Sequence, residues 1–290
     1  MKRARPSWLL SLAIALAITP ARAHVEEQKV TLQAELRDVR GRPVSHAFQV
    51  TIYRDSEQKT PWPFMILNHG RAGTPADRAR TAIGPYGPNA RYFVERGFVV
   101  FLPIRVGYGA TGGPDIEDSG LCYHKVYPPG FEAAAQQSLV AIAHAKAQSY
   151  VNAERGLVVG QSFGGTTAVA LAAKAVPGVL GAVNFGGGGG GRPVDHPGEP
   201  CEPDLLRDLF AGYGKTARIP TLWIYSENDR YFGSKYPRDW FDGFVKAGGQ
   251  GRFVQLPPYK QDGHPSFTGQ PAAWRPTFES FQRAVMGKRE

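Results

Sequence analysis

The run Leu157-Val158-Val159-Gly160-Gln161-Ser162-Phe163-Gly164-Gly165 is apolar and β-branched, ends in G-x-S-x-G, and passes straight into the alanine-rich stretch Thr166 to Lys174. That pattern predicts a strand, a sharp turn and a helix, with a serine at the apex. A serine hydroxyl is a weak nucleophile unless a base lies within hydrogen-bond reach and the backbone presents the oxygen clear of its neighbours. Gly160 and Gly164 remove the Cβ atoms that would collide in so tight a turn, and Ser162 is thereby expected to sit in a strained conformation.

A nucleophile of this kind needs a base and an acid, and the loops after three other predicted strands offer them. They read Asn68-His69-Gly70-Arg71, Ser226-Glu227-Asn228-Asp229-Arg230 and Gln261-Asp262-Gly263-His264-Pro265. In open α/β sheets the loops at the carboxyl ends of strands gather on one edge, which is where sites are built. His264 is then the candidate general base and Asp229 the acid that fixes its tautomer. Glu227 competes for the acid role, and His124 and His196 compete for the base. His69 and His144 read as structural, and Asp262 as a solvated loop carboxylate. The backbone N–H of Phe163, next after the nucleophile at a helix start, is a candidate donor to a developing oxyanion.

The chain order Ser162, Asp229, His264 is the order found in α/β-hydrolases. From about residue 47 to residue 287 the chain resembles that superfamily, in particular its dienelactone-hydrolase and prolyl-oligopeptidase-like branch. The resemblance places the acid a few residues beyond its strand, favouring Asp229 over Glu227. It also assigns the second oxyanion donor to the N–H of Arg71, in the element His69-Gly70-Arg71. It implies a serine hydrolase that cleaves small to medium carboxylic esters through an acyl-enzyme. A peptidase acting on short peptides is the rival within the enzymes, although these 290 residues leave no room for the propeller domain such relatives carry. A non-catalytic binding protein of the same fold is the rival outside them, and all three triad residues stand against it.

The elements that must position these groups alternate along the chain. Two alternating segments, 30–36 and 47–53, separated by Gly41-Arg42-Pro43, predict an antiparallel pair at a sheet edge. Apolar runs at 64–67, 98–103, 157–159, 179–185 and 220–225 predict strands, the inner ones buried, and 252–256 is expected to be the last strand. Helices are expected at 89–96, 131–150, 238–247 and 271–286, besides the one after Ser162. The fold class is therefore α/β, a mostly parallel twisted sheet of about eight strands with helices on both faces. The strands carrying Phe101 and Phe185 are expected to flank the Ser162 strand.

Lys2, Arg3 and Arg5, the apolar run Trp8 to Ile18, and Ala21-Arg22-Ala23 predict a signal peptide over 1–23 and a single catalytic domain over 24–290. Its loss removes four cations and no acid, taking the formal charge from +9 to +5. The remaining excess is scattered, which argues against a nucleic-acid groove, and cleavage would leave no stable membrane insertion. Secretion or export to a periplasm would favour a Cys122–Cys201 disulfide, with reduced, buried thiols as the alternative. The six glycines 186–191 could nest an anion or let backbone approach a substrate. No metal-ligand or dinucleotide motif is present, so no cofactor is expected.

Overall fold

Eight strands form one sheet in the computed structural model, which describes residues 23–287 apart from Ala82. The signal-peptide expectation, but for Ala23, lies outside the described residues. In chain order the strands are β1 (Val25–Arg37), β2 (Pro43–Asp55), β3 (Trp62–Asn68), β4 (Val99–Ile104), β5 (Val151–Gln161), β6 (Val179–Phe185), β7 (Thr221–Ser226) and β8 (Gly251–Leu256). The helices are α1 (Pro75–Ala79), α2 (Gly87–Glu95), α3 (Tyr127–Lys146), α4 (Phe163–Ala173), α5 (Pro203–Thr216), α6 (Lys235–Lys246), α7 (Ser266–Gly269) and α8 (Pro271–Met286).

The sheet order is β1-β2-β4-β3-β5-β6-β7-β8. The predicted edge pair is an antiparallel hairpin whose register runs from Val25 opposite Asp55 to Arg37 opposite Pro43. Its turn includes Gly41 at φ +75°, a left-handed conformation suited to glycine. From β4 to β8 every pairing is parallel, and β4 and β7 are buried along their whole length. Alternate side chains feed separate cores on the two faces. Phe64 and Ile66 join Phe131, Trp223 and Trp240 on one, while Met65 and Leu67 join Phe93, Trp274 and Phe278 on the other.

Two expectations are corrected. The neighbours of β5 are β3 and β6, so the Phe101 strand stands one place further out than the sequence suggested. The crossover from β3 through α2 places β4 on the outer side of β3, and nothing in the apolar runs encodes that choice. Helix α5 was also not foreseen. It buries Leu206 and Phe210 in the core, with Phe210 against Trp223 of β7, and Gly214 against α6; it starts at Pro203 and contains Gly212 and Gly214, which weaken its helical signature.

Candidate active site

Strand β5 ends at Gln161, and α4 begins at Phe163, leaving Ser162 alone in the turn at φ +56°, ψ −125°. A non-glycine residue held there is strained by about 1–3 kcal/mol and needs surroundings that over-determine it. The Ser162 N–H donates to the Phe185 carbonyl at 2.8 Å, and its own carbonyl accepts from Gly165 and Thr166. A Cβ at Gly160 would lie 2.0 Å from the Gly164 carbonyl oxygen, and one at Gly164 would lie 2.3 Å from that of Asn68. Both are backbone collisions that no side-chain movement relieves. The two glycines of the motif are therefore steric requirements, as the sequence implied.

Asp229 and His264, from the loops after β7 and β8, meet as a buried pair with Nδ1 and Oδ2 2.9 Å apart. The other Asp229 oxygen accepts from the N–H groups of Tyr231 and Phe232 at 2.8 and 3.1 Å, which fixes the carboxylate. Tyr231 stacks on the imidazole at 3.9 Å between centroids, and Phe232 meets it edge-on at 5.3 Å. Gln161, immediately before Ser162, donates to the His264 carbonyl at 3.2 Å, tying the histidine loop to the turn. Among the described residues Ser162 Oγ has no hydrogen-bond partner, His264 included; such contacts often tighten only around substrate.

The rivals fall elsewhere. Glu227, His124 and His196 are exposed, and His144 packs edge-on against Phe101. Asp262 is not a solvated carboxylate: one of its oxygens accepts from both Arg230 N–H at 3.0 Å and His264 N–H at 2.9 Å. It brackets the two loops that carry the pair. Sequence spacing hides this, because one partner, the Arg230 N–H, is a backbone group of another loop.

The loop after β3 passes close to the turn, with a Cβ at Gly70 falling 3.2 Å from that of Ser162. The Gly70 N–H donates to Tyr86 Oη at 3.0 Å, and Tyr86 donates to Gln161 Oε1 at 2.9 Å. Among the described residues neither the Arg71 N–H nor the Phe163 N–H has an acceptor. The Arg71 side chain points away to a bidentate contact with Asp115, both bonds 2.7 Å, and donates to Tyr108 Oη at 3.1 Å. Burial opposes its charge, but the Asp115 hydrogen bonds, with Tyr108 and Glu117 behind them, hold its pKa above the usual value. Asp115 is in turn held below the usual carboxylate range, the Arg71 and Arg78 cations overcoming the effect of burial.

A cavity of about 660 Å³ opens at Ser162. One side carries Arg71, Gly73 and Asp77; the other is Gly188–Gly191 with Tyr231 and Phe232. Of the aromatics in and near the loops of this edge, Tyr231 lines it and Tyr123 is exposed, while Tyr108, Tyr127, Trp223 and Tyr225 are buried in the packing. Cys122 and Cys201 are bonded to each other, joining the loop after β4 to the loop after β6 beside this cavity. Among the described residues no cluster of His, Cys, Asp or Glu is placed to hold a metal ion, and no helix is long and apolar enough to cross a membrane.

The turn at Ser162, the Asp229–His264 pair and the cavity thus meet at one edge of the sheet, and comparison with known proteins shows the family. A dienelactone hydrolase-like promiscuous phosphotriesterase from metagenomic libraries superposes with a TM-score of 0.58 at 15% identity, covering 88% of this chain and 98% of that one. An esterase from Pyrococcus furiosus gives 0.58 at 13% identity over 97% of each chain. An acylaminoacyl peptidase from Pyrococcus horikoshii gives 0.61 at 12% identity, covering 91% of this chain but 43% of that one. At these identities the likeness shows the fold, that of the α/β-hydrolases. A search of curated proteins finds no match. The family model described as "Dienelactone hydrolase family" matches residues 56–235, more than half the sequence, and the chain belongs to that family of α/β-hydrolases.

Proposed function

We propose that the chain is an exported serine hydrolase that cleaves small to medium carboxylic esters, with residues 1–23 as its signal peptide and 24–290 as a single catalytic domain. Ser162 Oγ attacks the ester carbonyl while His264 Nε2 takes its proton. Asp229 holds the Nδ1–H of His264 and stabilises the imidazolium as it forms. The oxyanion of the tetrahedral intermediate accepts from the N–H groups of Phe163 and Arg71, each donor worth roughly 3 kcal/mol of barrier. His264 then returns the proton to the departing alkoxide, leaving an acyl-enzyme. A water molecule activated by the same imidazole hydrolyses it.

The observation that carries this reading is the Ser162 backbone at φ +56°, on the cavity, one residue after Gln161, whose side chain bonds the buried Asp229–His264 pair's loop. That neither the Phe163 N–H nor the Arg71 N–H has an acceptor among the described residues supports it. Fluorophosphonate labelling of the purified protein tests it, with modification expected at Ser162 and nowhere else. Replacement Ser162→Ala is expected to lower kcat by about a millionfold with the fold retained. A labelled wild type that turns over peptide amides as fast as matched acyl esters would replace esterase by peptidase. A folded wild type that takes no label would end the serine reading.

A further inference from the structure

An oxyanion hole works only if its donors are aimed before the substrate arrives. For the Phe163 N–H the helix start does this. The Arg71 N–H lies in a loop, where a peptide plane is free to rotate unless something holds it.

That plane is held from behind. The Gly70 carbonyl and the Arg71 N–H belong to one planar trans peptide unit, so fixing the direction of the carbonyl fixes the N–H to point the opposite way. The Gly70 oxygen lies 2.6 Å from His69 Nδ1 and 3.3 Å from Arg105 Nη2. His69 Nε2 accepts from the Arg105 N–H at 3.2 Å, which leaves the ring's proton on Nδ1, where it donates to Gly70. Burial, then the Arg105 guanidinium, holds His69 well below the usual histidine range, so the tautomer needed for both contacts is the neutral one. Arg105 Nη1 also donates to the His69 carbonyl at 2.7 Å, so one guanidinium grips two successive carbonyls of the loop.

The guanidinium itself has no solvent contact. Its counter-ion, Glu117, is equally buried and reaches Nε at 2.6 Å and Nη2 at 3.3 Å. Tyr108 Oη donates to the same carboxylate at 2.7 Å. A fully buried ion pair brings little net stability, because desolvation offsets its attraction, so stability alone does not account for the Arg105–Glu117 pair.

We propose that the buried Arg105–Glu117 pair, acting with His69, aims the Arg71 N–H at the oxyanion. Arg105 and Glu117 are thus positioning residues for the reaction, without touching substrate. This rests on the serine-hydrolase reading above, and it assigns to that site a part the sequence motif does not contain.

The test is steady-state hydrolysis of p-nitrophenyl acetate, with fluorophosphonate labelling to count working serines. Two variants are compared with wild type: Arg105→Lys, and the double variant Arg105→Met with Glu117→Gln, which removes both charges together and avoids stranding one of them. The double variant is expected to label to full stoichiometry but slowly, with kcat down at least tenfold and KM within about twofold, up to the 10²–10³-fold seen when an oxyanion donor is lost. Arg105→Lys, a point charge without the fork, is expected to fall between it and wild type. If the double variant keeps wild-type kcat, the proposal is overturned. It is equally overturned if activity falls only in step with the fraction of serines that label, since the pair then serves folding alone. A failure of the serine reading looks different, because the wild type itself would not label, and the inference would go with it.

Discussion

On the β3–β4 side of Ser162 the cavity wall is held by charge, and on the β6–β7 side it is held by shape and a covalent bond. The first wall carries Arg71, backed by Asp115, Glu117 and Arg105, each contact a charged hydrogen bond. The second is Gly188–Gly191, where a Cβ at each position would collide with Phe232, Tyr127, the Tyr127 hydroxyl and Tyr231 in turn. Tyr127 Oη donates to the Cys201 carbonyl at 2.5 Å, Cys201 N–H donates to Gly190 at 2.9 Å, and Cys201 is bonded to Cys122. Several charged hydrogen bonds converging on one loop fix the orientation of its peptides, whereas a wall held mainly by packing and a disulfide, with two neutral hydrogen bonds, is fixed chiefly in where it lies. The first wall is therefore built for aiming, and the second for bounding a space.

Four expectations break or sharpen that contrast. The largest concerns charge: Glu117→Ala strands the Arg105 cation in the interior, and urea unfolding is expected to show a loss of about 3–5 kcal/mol. A loss below about 1 kcal/mol would mean that water reaches the first wall. Next, the double change Cys122→Ser with Cys201→Ser opens a link across 79 residues, with an expected loss of about 2–4 kcal/mol. Because the bond only bounds the cavity, KM is expected to rise more than kcat falls. An equal fall in kcat would erase the distinction between the walls.

Smaller again, Gly190→Ala places a Cβ in a backbone at φ +70°, against the Tyr127 hydroxyl. Differential scanning calorimetry is expected to find it about 1–3 kcal/mol less stable. Adding Tyr127→Phe removes the hydroxyl but leaves the strain and the Cys201 Cβ at 3.0 Å, and gives up the bond to the Cys201 carbonyl, so it should recover only part of that loss.

The smallest effect is on pH. His69 is buried neutral, its pKa well below the value of 6.5 it has when unfolded. The unfolded chain binds the extra proton first, so stability is present above pH 6.5 and declines as pH falls below it. The slope is at most about 1.4 kcal/mol per pH unit for one proton. In urea titrations at pH 7.5 and 5.5, His69→Gln should lose less on acidification than wild type. An unchanged difference would mean that His69 takes up a proton in the folded state.

What the sequence disclosed follows the same division. The strand, turn and helix around Ser162 were legible because glycine spacing, β-branched residues and alanine all report local backbone geometry. The meeting of Asp229 with His264 was legible only through chain order and the rule that loops gather at one sheet edge. Glu117 gave no sign of its part: in a Gly- and Pro-rich loop it reads as one more surface acid, and its burial depends on Arg105 and Tyr108 folding over it. Asp262 was misread for the same reason, its partners being N–H groups of two different loops. The placement of β4 outside β3 is set by the direction of a crossover, which composition does not record. Local backbone demands are written in the chain, while long-range polar pairings are decided by the assembled fold.

The glycine wall has a consequence for how this enzyme can change. Natural selection usually retunes a pocket one residue at a time, by swapping the side chains that line it. At Gly188, Gly189 and Gly191 the space a new side chain would enter is already filled by an aromatic ring belonging to the protein. New substrate preferences on that side must therefore arise by paired changes, a smaller residue at Phe232, Tyr127 or Tyr231 coming before any growth at the glycine. The opposite rim, at Ala72 and Gly73, carries no such partner behind Gly73, where nothing lies within 4 Å of an added Cβ. Single-step diversification of the substrate range is open there and closed across the cavity.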